Sequence, residues 1–115
     1  MVTIKKIILS FFLLTALHAI GHGQVDEYLA AEKKVKGLES KMKKEYQSMS
    51  TSYEVTERTL LSTEQSAWIR YRDAQLKIAA HAFRGGSGQG LEVLTKRIEL
   101  TEERLKRLKF LKGYL

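Results

Sequence analysis

From Tyr28 onward, apolar side chains return every three or four residues: Tyr28, Ala31, Val35, Leu38, Met42, Tyr46, Met49 and Tyr53. That spacing sets them on one face of a helix, with Lys33, Lys34, Lys36, Lys41, Lys43 and Lys44 largely on the other faces. Gly37 interrupts at a cost of about 1 kcal/mol relative to alanine. The run Ser48, Met49, Ser50, Thr51, Ser52 has poor helix propensity and is expected to end the element. A second stripe follows over Val55 to Arg84, through Leu61, Gln65, Trp68, Arg72, Leu76, Ala79 and Phe83. Ser62 and Gln65 fit a capping box that would start this helix at Thr63. The longer helix is preferred, because Leu60 and Leu61 would otherwise lack a regular scaffold. The run Gly85, Gly86, Ser87, Gly88, Gln89, Gly90 then stops one helix and lets the next reverse.

The third stripe is Leu91, Leu94, Ile98, Thr101, Leu105 and Leu108. Thr101 followed by Glu102 and Glu103 has the look of a helix start, so a local break near Leu100 is an open alternative. Three helices with one apolar stripe each must bury those stripes against one another. The expected fold is all-α: an antiparallel bundle of three helices, the first two long. The absence of proline suits this reading.

Ahead of the first stripe, Lys5 and Lys6 precede an apolar run from Ile7 to Ile20. A basic n-region and an apolar segment of about fourteen residues fit a secretory signal, and the run is short for a membrane span of roughly 20 residues. Small residues Gly21 and Gly23 place the expected cleavage after Gly23, with Ala19 as the alternative. Residues 1–23 are therefore read as a cleaved leader and 24–115 as one helical domain, exported to the periplasm or secreted. No cysteine is present, so neither a lipid anchor on an N-terminal cysteine nor a disulfide is available, and packing must supply the stability. The chain has 20 Lys+Arg against 13 Asp+Glu, a net +7; loss of Lys5 and Lys6 with the leader lowers this to about +5. The residual excess favours anionic surfaces or an acidic protein. Nucleic acid is not expected as a partner, since export removes the usual target and the basic residues form no known reading motif.

Little in the chain carries chemistry. The glycine run lacks the Gly-Lys-Ser/Thr ending of a phosphate loop, and no strand precedes it. His81 is the only histidine beyond the leader, with no second histidine or cysteine to join it in a zinc site, and no ligand-loop spacing suggests a carboxylate site. Glu102 and Glu103 are adjacent, so on a helix they point about 100° apart and do not face each other as an acid–base pair. No activated serine motif occurs. The reading is non-enzymatic, with no cofactor and no metal. Exposed loops on rigid scaffolds often carry function, which makes Ser87, Gly88 and Gln89 the candidate binding loop. The Met42, Tyr46, Met49, Tyr53 series reads as core before partner surface. The basic residues of the third helix, Arg97, Arg104, Lys106, Arg107, Lys109 and Lys112, read as a solvated face, with anionic lipid as the alternative contact.

The informative constellation is Gln65, Trp68, Arg72 and Asp73. Gln65 and Arg72 interrupt an apolar stripe, and a guanidinium there needs acceptors to offset desolvation. Thr101 is the matching polar interruption on the third helix. The expectation is that Arg72 bonds backbone carbonyls or an acid near Thr101, pinning helix two to helix three.

These residues resemble a known family. Leu61 to Asp73, with Gln65, Trp68, Tyr71, Arg72 and Asp73, is similar to the L-x-x-x-Q-x-x-W-x-x-Y-R-D core of the lysozyme inhibitor LprI-like family. Gly85-Gly86-Ser87 resembles its Gly-Gly-Ser connection. Leu100, Thr101, Arg104 and Leu108 resemble its closing L-T-x-x-R-x-x-x-L element, and Met42 to Tyr46 is a weaker match to L-N-x-x-Y, with Lys43 in place of asparagine. Leu76 and Lys96 stand where the family usually has cysteines, which implies the joint loss of one disulfide between the second and third helices. The resemblance implies a helical, exported, non-enzymatic binding domain whose partner is lysozyme or another envelope protein. Occlusion is the expected mode, by an acidic patch or by the glycine loop entering the cleft, with Ser87, Gly88 and Gln89 as the first candidates. The competing expectation is an envelope-surface or assembly factor whose basic C-terminal helix meets anionic lipid or polyanion.

Overall fold

The computed structural model describes the backbone from Ile4 to Leu115 and side chains from Gly23 onward. The expected leader, residues 1–23, falls almost wholly outside the residues whose side chains are described. Three helices follow in order, α1 (Ile4–Ser52), α2 (Val55–Ala82) and α3 (Gln89–Lys112). The described residues form no strand.

Helix α1 ends inside the serine-threonine run, as its low propensity dictates. There the Thr51 hydroxyl donates to the Gln47 and Ser48 carbonyls, and Ser52 donates to Met49, so the side chains compete with onward helix. Only Tyr53 and Glu54 separate α1 from α2. The α2 helix starts at Val55 and runs through the Ser62–Gln65 position without interruption; Ser66 donates to the Ser62 carbonyl within it. At the other end, Gly85 takes a φ of +75°, a left-handed turn that costs other residues about 1–2 kcal/mol.

The directions follow from residue pairings. Arg104 reaches Gln65, and Gln89 reaches Ala80, so α3 runs antiparallel to α2. Gly90 lies against Tyr28, Arg97 pairs with Glu39 and Lys112 with Glu45, so α3 runs parallel to α1. A Cβ at position 90 would come 3.1 Å from the Tyr28 ring, so glycine is what allows this close approach. The α2–α3 register sets Leu76 within about one helical turn of Lys96. Lys96 binds Glu99 within its own helix at 3.0 Å.

Helix α3 is the shared partner. It packs along both α1 and α2, while those two approach each other chiefly near their short connection. The buried apolar residues are Val35, Met42 and Met49 from α1, Leu61 from α2, and Leu100 and Leu108 from α3. Tyr46, Tyr53, Trp68, Leu105 and Leu111 close around the cluster at the α1–α2 connection. The stripes fade toward the glycine loop, where Tyr28 and Phe83 are exposed. No break occurs near Leu100. The α3 helix is continuous there, because the Thr101 hydroxyl donates back to the Arg97 carbonyl at 2.7 Å and does not cap a new helix. Leu100 and Arg104, both outside the expected stripe, are almost completely buried.

Candidate functional site

Two regions bear the residues singled out in the sequence. The first is the contact between the middle of α2 and the second half of α3. Arg104 is 1% exposed. Its Nε donates to Gln65 Oε1 at 3.0 Å and its Nη2 to the same oxygen at 2.6 Å. Its Nη1 donates to Glu64 Oε1 at 2.5 Å, and Nη2 closes the bidentate pair on Oε2. The guanidinium also lies 5.3 Å from the centre of the Trp68 ring, with Arg72 at 5.4 Å from it. Trp68 thus receives two cations, each able to interact with its π system.

The pin between helices two and three therefore exists, but with the arginine on the opposite helix. Arg72 does not reach Thr101. Its Nε and Nη2 donate to Oδ1 of Asp73, the next residue in α2, at 3.0 and 2.9 Å. Helical geometry explains this. The Trp68 ring offers the Arg72 guanidinium a surface on its own helix, and Asp73 supplies an acceptor without crossing to α3. Arg104, one turn beyond Thr101, spans the gap instead. Thr101 is buried with its hydroxyl already spent on its own helix. Tyr71 and Asp73 remain exposed. Glu64 is the partner that sequence reasoning missed. The signal for Arg104 was available in its spacing, three residues after Thr101 and four before Leu108.

The rest of the basic third helix is also partly committed. Arg97 pairs with Glu39, and Lys112 with Glu45 at 3.5 Å. Lys106, Arg107 and Lys109 are the exposed cations on its final turns. The Glu99 carboxylate, hydrogen-bonded to Lys96, raises that amine above the usual lysine range against an opposing desolvation, and the charges of Glu99, Glu103 and Tyr71 add to the rise.

The second region is the glycine-loop end. Val25, Tyr28 and Leu29 of α1, with Leu91 of α3, form the apolar walls of a groove of about 400 Å³, and Ser87 and Gly88 form its lip. Val25 and Leu29 are more than half exposed, so these side chains lack a partner that covers them. Gln89, the third loop candidate, is engaged: its Nε2 donates to the Ala80 carbonyl at 2.7 Å and ties the start of α3 to the end of α2. The α1 wall was not legible as a site, because Val25 continues the apolar stripe three residues before Tyr28 and so reads as core, while Leu29 stands alone beside it.

Charge is distributed unevenly between the ends. From Gln24 to Glu32 the charged residues are all acidic: Asp26, Glu27 and Glu32. Beyond residue 23 the first lysine is Lys33. Glu27 lines the groove, and Glu92 follows in the first turn of α3. Among the described residues, no three His, Cys, Asp or Glu side chains converge as metal ligands, and no helix is long and apolar enough to cross a membrane.

Residues 21–108 match the family model described as lysozyme inhibitor LprI. No curated protein and no solved structure matches the chain.

Proposed function

The chain belongs to the LprI lysozyme inhibitor family, and from that premise we propose that it is an exported, non-enzymatic protein that inhibits lysozyme by occlusion. The observation that carries this reading is the family match over residues 21–108, which takes in α2, the glycine loop and the larger parts of α1 and α3. The groove end is the contact surface in this reading. Arg104, Gln65 and Glu64 are occupied with one another, so the motif cluster acts as scaffold. Ser87 and Gly88, with Val25 and Leu29 beside them, present an exposed rim to a partner.

Net charge alone would disfavour a basic lysozyme, since like charge slows encounter. The arrangement of charge offsets this. A basic enzyme approaching the groove meets Glu27 on its lining, with Asp26 next to it in sequence and Glu92 in the first turn of α3 against the single loop cation Arg84, and the lysine-rich part of α1 begins only beyond Glu32. Lysis of cell-wall substrate by lysozyme, titrated with the mature protein, tests the reading. Dose-dependent inhibition is expected, weakened by Asp26→Lys/Glu27→Lys and by Ser87→Trp, each with unchanged helicity. Full inhibitory strength in both variants would remove the groove end from the mechanism. No inhibition of any of several lysozyme types would remove the function itself.

A further inference from the structure

The tip formed by the last turns of α3 and the first turns of α2 has a composition unlike the rest of the surface. Phe110 and Tyr114 are 51% and 74% exposed, and their rings sit 4.9 Å apart in a tilted pair. Leu60 and Leu115 are exposed beside them. Both line an apolar cleft of about 290 Å³ that is walled by Leu61 and Leu111 and edged by Glu64. Arg107 lies over the Phe110 ring at 5.0 Å. Lys106 and Lys109 flank it, both exposed and without an ion pair among the described residues. Glu103, one turn earlier on α3, is the nearest exposed acid in sequence.

We propose that this tip is a docking site for an anionic lipid surface. Aromatic rings and aliphatic side chains that end in a ring of cations match the boundary between acyl chains and anionic headgroups. The length of α3 cannot supply such a surface, since Arg97, Arg104 and Lys112 are paired with Glu39, Glu64 and Glu45. Contact is therefore confined to Lys106, Arg107, Lys109, Phe110 and Tyr114, with Leu115 and Leu60 entering the apolar layer. A second copy of the chain is a poorer occupant, because pairing two such tips would bring their cations together. The tip lies at the far end of the bundle from the glycine-loop groove, since Gly90 opens α3 and Phe110 closes it. The proposal is thus independent of lysozyme binding, and both surfaces can be occupied at once.

The test uses protein exported from the full-length precursor, its N-terminus read by mass spectrometry, in sedimentation with phosphatidylcholine vesicles with or without phosphatidylglycerol. The expected result is binding to the anionic vesicles at low salt, little binding to the neutral ones, and release near 0.5 M salt, where the screening length falls to about 4 Å. Lys106→Glu/Arg107→Glu/Lys109→Glu is expected to weaken partition by more than about a hundredfold, since losing three cations at about 1 kcal/mol each near the surface supplies that factor before the new carboxylates repel the headgroups. Phe110→Ser/Tyr114→Ser is expected to abolish the part of binding that survives moderate salt. These side chains are exposed, so circular dichroism should be unchanged. No binding to anionic vesicles at low salt, or undiminished binding of the charge-reversed variant, would overturn the proposal. So would a concentration-dependent dimer, measured by light scattering, that dissociates in Phe110→Ser/Tyr114→Ser while vesicles remain unbound.

Discussion

Arg104→Met isolates the contact that locks α3 to α2. The substitution removes a guanidinium that is 1% exposed and strips Glu64 and Gln65 of their shared donor. Breaking a buried ion pair from one side typically costs about 3–5 kcal/mol. Glu64 keeps 39% of its side chain in contact with solvent, so water takes over part of the lost bonding, and the low end, about 3 kcal/mol, is expected. For a domain of this size each kcal/mol moves the midpoint by roughly 4–8 °C, giving a fall in Tm of roughly 12–24 °C. Urea unfolding followed by far-ultraviolet circular dichroism measures the loss, and the fluorescence of Trp68, the only tryptophan, reports the same site. The partner substitution sharpens the test. Arg104→Met/Glu64→Met removes both charges and is expected to lie within about 1 kcal/mol of wild type, because an apolar pair avoids the desolvation cost. A single variant as stable as wild type would refute the pin, and a double variant as unstable as the single would show that packing volume, not the unpaired carboxylate, sets the cost.

Arg72→Met is expected to cost under about 1 kcal/mol, since its acceptor is the adjacent, half-exposed Asp73 on the same helix; the same urea titration compares it with Arg104→Met. Gly85→Ala is expected to destabilise by about 1–2 kcal/mol through its φ of +75°, whereas Gly85→Asn, which tolerates that region better, should lose less. The Lys96 amine is expected to titrate above the ordinary lysine range, and Glu99→Gln should return it toward that range in an NMR titration. The sign follows from the raised folded-state value: the stabilisation by this pair is present at neutral pH and disappears only as pH climbs through the folded pKa.

Periodicity made the helices legible. Tyr28 to Tyr53 and Leu61 to Ala79 advance in steps of three and four, and chain breaks fall where serine and glycine weaken helical bonding. Arg104 was harder to read because it sits among six other cations on α3, and a basic residue in such company ordinarily faces water. Only its register with Thr101 and Leu108 distinguishes it. Glu64 carried no signal in its own helix, as it neighbours Gln65 on the edge of the stripe, and its role depends on α3 arriving alongside. The groove at the glycine loop was half visible. Ser87 and Gly88 stood out by composition, but Val25 and Leu29 acquire meaning only once α1 lies beside the start of α3.

Helix α3 is the last of the three to be synthesised, yet it carries the middle of the assembly. Until Leu100, Arg104 and Leu108 exist, Val35 and Met42 have little to close on, and Glu64 with Gln65 has no cation to bind. The chain ahead of Gln89 therefore lacks most of its stabilising partners. The order of the helices therefore places the closing element last: the buried contacts of α1 and α2 are completed only once α3 is present.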